Sequence, residues 1–118
     1  MNHFSVETKT LEDVAILAPR GYLNNIMGER LEEECTTMIK KGIRKLVLNF
    51  AEIEFINSIG ISILLGILDK TTESSGTLCL TNLSRLHAET FEMLGLASHL
   101  HVFPNEKEAV RYLKENNR

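Results

Sequence analysis

Apolar residues along this chain change period several times, and each change marks an element. Phe4, Val6 and Thr8 alternate with polar neighbours, which predicts an edge strand. Leu11-Glu12-Asp13 reads as a turn. Val14 to Ala18 is a continuous apolar strand that Pro19-Arg20-Gly21 ends or bends. Asn24-Asn25 opens a helix whose stripe is Met27, Leu31, Cys35, Met38 and Ile39. Lys40 and Lys41 suit its last turn, and Gly42 closes it. Lys45 to Phe50 is a buried strand, and Ala51 to Phe55 a short connection carrying Glu52 and Glu54.

From Ser58 the spacing turns helical again, with Ile61, Leu64, Leu65 and Leu68 on one face and Ile63 and Ile67 on another. Ser74-Ser75-Gly76 ends this helix, and Thr77 to Thr81 is a strand. Ser84 caps a third helix with Leu83, His87, Phe91 and Leu94 inward and Gly95 at its end. Leu100 to Phe103 is a last short strand. Pro104-Asn105 starts a terminal helix, with Asn105 and Glu108 spaced as a capping box and Ala109, Val110 and Leu113 inward. The order β-β-α-β-α-β-α-β-α predicts an α/β fold. Its sheet is mixed, mostly parallel with an antiparallel edge, and packs with about four helices.

The stretch from Phe55 to Leu68 carries the most chemistry. An apolar strand ending, Leu46-Val47-Leu48 and then Phe55-Ile56, runs into Asn57-Ser58, where the spacing turns helical, which sets Ser58 at the helix mouth. The first N–H groups of a helix lack partners and the dipole there favours negative charge, so a hydroxyl at this point either caps the helix or carries a phosphate. The two roles are compatible.

At 118 residues the chain is expected to form one domain, residues 1–118, with a core that needs no staples. A net charge of −3 argues against general nucleic-acid binding. No apolar run approaches the roughly 20 residues that cross a bilayer. Met1-Asn2-His3-Phe4 lacks a signal pattern, so a cytoplasmic protein is expected. Cys35 and Cys79 read as small buried hydrophobes.

Beside this pattern, Leu46-Val47-Leu48-Asn49-Phe50, Phe55-Ile56-Asn57-Ser58-Ile59-Gly60 and Leu64-Leu65-Gly66 resemble the central motif of the STAS domain of bacterial anti-anti-sigma factors. Gly21-Tyr22-Leu23-Asn24 resembles the family's Gly-x-Leu-Asp element. Phe91-Glu92-Met93-Leu94-Gly95-Leu96 with Val102-Phe103 resembles its C-terminal part. The resemblance implies an anti-sigma factor antagonist. Its partner would be an anti-sigma factor with a GHKL-type serine kinase domain, which phosphorylates Ser58 and so breaks the complex. A PP2C-like phosphatase would restore it. The partner-binding residues implied are Gly21, Asn24, Asn57, Ser58, Ile59, Gly60 and Ile61. Asn24, Asn49 and Asn57 stand where the family usually has Asp, and Ile59 where it has a small residue. An alternative is a STAS scaffold without a phospho-switch, in a stressosome-like assembly or beside a lipid or anion transporter. With no added N-terminal domain or membrane segment in the sequence, a free-standing antagonist is expected, as monomer or weak dimer.

Catalysis is not expected. Gly-x-Ser-x-Gly, a Gly-rich phosphate loop and a dinucleotide fingerprint are all absent, and no cofactor is implied. His99 and His101 would share a strand face, but no third metal ligand is placed. His87 reads as a packed core residue, and Glu32-Glu33-Glu34 as a solvated helix face.

Overall fold

The computed structural model describes residues 4–115; Met1-Asn2-His3, which belong to the N-terminus without a signal pattern, lie outside the described residues. The elements run β1 (Ser5–Leu11), β2 (Val14–Leu23), α1 (Asn25–Lys40), β3 (Lys45–Asn49), β4 (Glu52–Ile56), α2 (Ser58–Glu73), β5 (Thr77–Thr81), α3 (Arg85–Met93), β6 (His101–Phe103) and α4 (Glu106–Glu115). The sheet order is β1-β2-β3-β5-β6, antiparallel at β1 and parallel elsewhere.

Period-two alternation along the central strands builds two cores. Ala15, Leu17, Leu46, Leu48, Leu78 and Leu80 face the side covered by α1 and α2, where Met27, Leu31, Cys35, Leu64 and Ile67 meet them. Val14, Ile16, Val47 and Cys79 face the other side and are covered by Ala109, Val110 and Leu113 of α4. A strand buried on both faces must be apolar at every position, which is why β3 and β5 read as unbroken runs.

Two parts of the sequence reading are corrected at the same place. Residues 51–55 are not a connection. Glu52–Ile56 form β4, parallel to β2. Arg20 pairs with Ser5 on one side and Glu52 on the other, so β4 lies on the edge of β2 that β3 also uses. The register offset rises from Leu17↔Leu48 to Arg20↔Glu52, as a one-residue insertion between β3 and β4 requires. Nor does β2 stop at Ala18. It continues to Leu23, and Pro19 falls where neither β3 nor β4 pairs with it, so its missing N–H leaves no gap on that edge.

Three helix and strand faces also differ. In α2 the buried line is Gly60, Leu64, Ile67 and Thr71, with Ile61, Ile63 and Leu68 half-buried against the core. Leu94 is not inward; it is 54% exposed at the C-cap of α3, and Leu96 packs against the core instead. His99 belongs to a single 3₁₀ turn (Ala97–His99), so it does not share a strand face with His101.

Candidate functional site

β2 and β4 end side by side, Leu23 opposite Ile56, and each passes at once into a helix. Asn24 caps α1, its Oδ1 accepting from Met27 N–H at 3.1 Å. Asn57 caps α2, its Oδ1 accepting from Gly60 N–H at 2.8 Å. The two caps are stitched together by Asn57 N–H donating to the Leu23 carbonyl at 3.2 Å. Two helix N-termini therefore open at the carboxyl ends of adjacent parallel strands, the position where open α/β sheets bind ligands. Both caps are neutral, and neither first turn holds an acidic residue. The positive ends of both dipoles stay uncompensated.

With Asn57 as the cap, Ser58 is the first residue inside α2. It is exposed, and its hydroxyl has no partner among the described residues. The simple capping reading of Ser58 is thereby corrected: the Asn before it performs that task. Gly60 fits because the helix runs against β2. A Cβ at Gly60 would lie 2.1 Å from the Leu23 carbonyl oxygen. Gly21, at φ 116°, is buried beside a register shift in the β2–β4 ladder. Of the residues expected at the interface, Ser58 and Ile59 are exposed. Asn24 and Asn57 are half-buried caps. Gly21, Gly60 and Ile61 support the surface from beneath.

Sequence reasoning missed most of the apolar surround. Tyr22 (47% exposed), Ile26 (58%), Phe55 (62%) and Ile59 (51%) stand on the same strand ends and first helical turns. Tyr22 and Phe55 meet edge to face, with ring centroids 5.9 Å apart. Phe55 is outward because Gly21 pairs with Ile53 and Tyr22 with Phe55, leaving Glu54 as an extra residue. A bulge of this kind reverses the facing of the strand residues beyond it. Period two alone would bury Phe55 with Ile53. Ile26 did carry a signal, since it lies off the Met27-Leu31-Cys35 stripe.

His87 packs under this bulge. It is buried at 5% exposure beside the backbone of Glu54, and its Nδ1 has no hydrogen-bond partner among the described residues. Burial lowers its pKa, and the nearby Glu54 backbone opposes the shift. Phe91 of α3 holds the same region through Phe50, with ring centroids 6.4 Å apart. Asn49 lies elsewhere. Its Nδ2 donates to Glu106 Oε2 at 2.6 Å, its Oδ1 accepts from Ala51 N–H, and Lys9 pairs with the other Glu106 oxygen at 3.3 Å. Burial pushes both the Cys35 and Cys79 thiols up to about 12, assisted at Cys35 by Glu34 and Glu32. Among the described residues no cluster of His, Cys, Asp and Glu could hold a metal, and no helix is long and apolar enough to cross a membrane.

The fold is a three-layer α/β domain with Ser58 exposed beside exposed apolar side chains at the mouth of α2. The sequence profile of the STAS domain matches residues 5–109, and the chain belongs to that family. It is 30% identical over 101 residues, 84% of each chain, to BtrV of Bordetella bronchiseptica, a protein assigned as an anti-sigma factor antagonist. The fold matches a structure from Thermotoga maritima given the same assignment, at a TM-score of 0.85 and 21% identity over 92% of this chain and 94% of that one. It also matches SpoIIAA, an anti-sigma factor antagonist solved in unphosphorylated and phosphorylated forms. The first gives a TM-score of 0.73 at 20% identity over 95% and 98% of the two chains. The second, from Bacillus, gives 0.71 at 22% over 94% and 99%.

Proposed function

We propose that this protein is an anti-sigma factor antagonist that binds its anti-sigma factor through the surface around Ser58 and so frees a sigma factor. The observation that carries the reading is the hydroxyl of Ser58, exposed, unbonded and set among Tyr22, Ile26, Phe55 and Ile59. Large exposed apolar side chains grouped on one surface are characteristic of protein interfaces. Phosphorylation of Ser58 by the partner's GHKL-type serine kinase domain places about two negative charges within that apolar surface. The charge opposes partner binding while the two open helix N-termini favour the phosphate within this chain, so the fold survives and the complex does not. A PP2C-like phosphatase resets the switch. The chain is a non-catalytic cytoplasmic module in this reading, residues 1–118 acting as one domain without a cofactor.

BtrV and SpoIIAA support the reading through what they are described to do. The test is titration calorimetry of the wild type, Ser58→Ala and Ser58→Asp against the cognate anti-sigma kinase. Ser58→Ala keeps the affinity within a fewfold, and Ser58→Asp weakens it at least tenfold. Equal affinities for all three remove Ser58 from the interface. Phosphate incorporated at another residue, with Ser58 unmodified by mass spectrometry, removes the switch.

A further inference from the structure

The outer face of α3 is a further apolar surface among the described residues. Its inner face buries His87 and Phe91, but Leu86 and Met93 point outward at 65% and 87% exposure, and Leu94 beside them is 54% exposed. Residues seven apart on a helix lie within about 20° of one line, so Leu86 and Met93 form a short ridge.

The charges beside that ridge are arranged against the helix's own interest. Arg85 opens α3, and Glu92 stands in its last turn; the first turn has no acidic residue and the last no basic one. The macrodipole favours the reverse, so each placement costs a few tenths of a kcal/mol in an isolated helix. Only the Arg85–Glu89 pair, 3.1 Å apart, offsets this locally. An antiparallel copy of the same helix turns the cost into a gain. A two-fold axis near the middle of α3 lays Leu86 on Met93 of the second copy. It also sets Arg85 opposite Glu92 of the second copy, twice per dimer, and runs the two dipoles head to tail. Glu89 falls near the axis, where Arg85 lies between it and Glu92 of the second copy.

From this self-complementarity we infer that α3 is a homodimer contact, two copies of the chain pairing their third helices antiparallel. Nine residues of helix bury less than the roughly 1,200 Å² of a stable specific interface, so the dimer is weak, with a dissociation constant of about 10 μM to 1 mM. The inference does not rest on the anti-sigma reading, and its test needs no partner.

The experiment is sedimentation equilibrium of the purified chain from about 10 μM to 1 mM. The wild type shows a monomer–dimer equilibrium. Met93→Glu raises the dissociation constant at least tenfold. Arg85→Glu and Glu92→Arg each raise it about three- to tenfold, and the double variant Arg85→Glu/Glu92→Arg recovers wild-type association. These positions are exposed, and circular dichroism confirms folding. Phe55→Ser, at the other apolar surface, leaves the equilibrium unchanged. A wild type that stays monomeric at 1 mM overturns the inference, as does association insensitive to Met93→Glu or a double variant that fails to recover.

Discussion

Replacing Gly60 by Ala tests whether the mouth of α2 is fixed by backbone contact. Ala is the better helix former, so propensity and unfolded-state entropy together favour the change by about 0.5–1 kcal/mol. Packing opposes it. The new Cβ would sit 2.1 Å from the Leu23 carbonyl oxygen, 2.8 Å from its carbon and 3.0 Å from Leu23 Cγ. A close C···O contact is about 3.3 Å, so roughly 1.2 Å must be found. The obstacle is strand backbone, which cannot rotate away as a side-chain tip can. Tilting α2 outward breaks the Asn57 N–H bond to the same carbonyl, worth about 1 kcal/mol net, and overpacking adds about 1–3 kcal/mol. The net loss is about 1–3 kcal/mol, or roughly 5–10 °C in Tm for a chain of this size. Gly66→Ala is the control. It lies in the same helix, and its Cβ would meet only Glu32 Oε2 at 3.6 Å, so Tm holds or rises by a few degrees. The assay is paired thermal and urea unfolding. A Gly60→Ala protein melting at or above the wild type would refute the reasoning, and the tight seam between α2 and β2 with it.

Asn49→Asp sets a carboxylate against Glu106 in place of a 2.6 Å hydrogen bond. About 1–2 kcal/mol should be lost at pH 7, measured by urea midpoints, and an unchanged midpoint would contradict the contact. Stability should also fall as pH drops through about 6.5. Burial lowers the pKa of His87, so the unfolded chain binds the proton first and stability is complete only above its ordinary value. His87→Gln should flatten the slope between pH 7 and 5.5, and an unchanged slope would clear His87. Cys35 and Cys79 should resist iodoacetamide in the native protein and react once it is unfolded in urea, because burial holds both thiols near 12; rapid native labelling seen by mass spectrometry would contradict their burial.

Local pattern determined a great deal by itself. The stripes of α1 and α4, the unbroken β3 and β5, and the caps Asn24, Ser84 and Asn105 were legible, because each rests on neighbours within a turn or two. The serine at the mouth of α2 was legible for the same reason. Only the tertiary structure decided which residue there caps and which stays free: Asn57 turns its side chain to Gly60, and Ser58 is left exposed. It alone showed that Glu52–Ile56 is a separate strand, whose hydrogen-bond partner β2 lies about thirty residues earlier in the chain. The outward turn of Phe55 depends on one extra residue opposite Gly21 and Tyr22, which exists only once the strands are paired. Leu94 and Met93 read as apolar, but apolarity does not say what covers a side chain; α3 ends before Leu94 can reach the core. Periodicity reports the geometry of one element, whereas register, bulges and exposure arise between elements, and the surface around Ser58 is built from those.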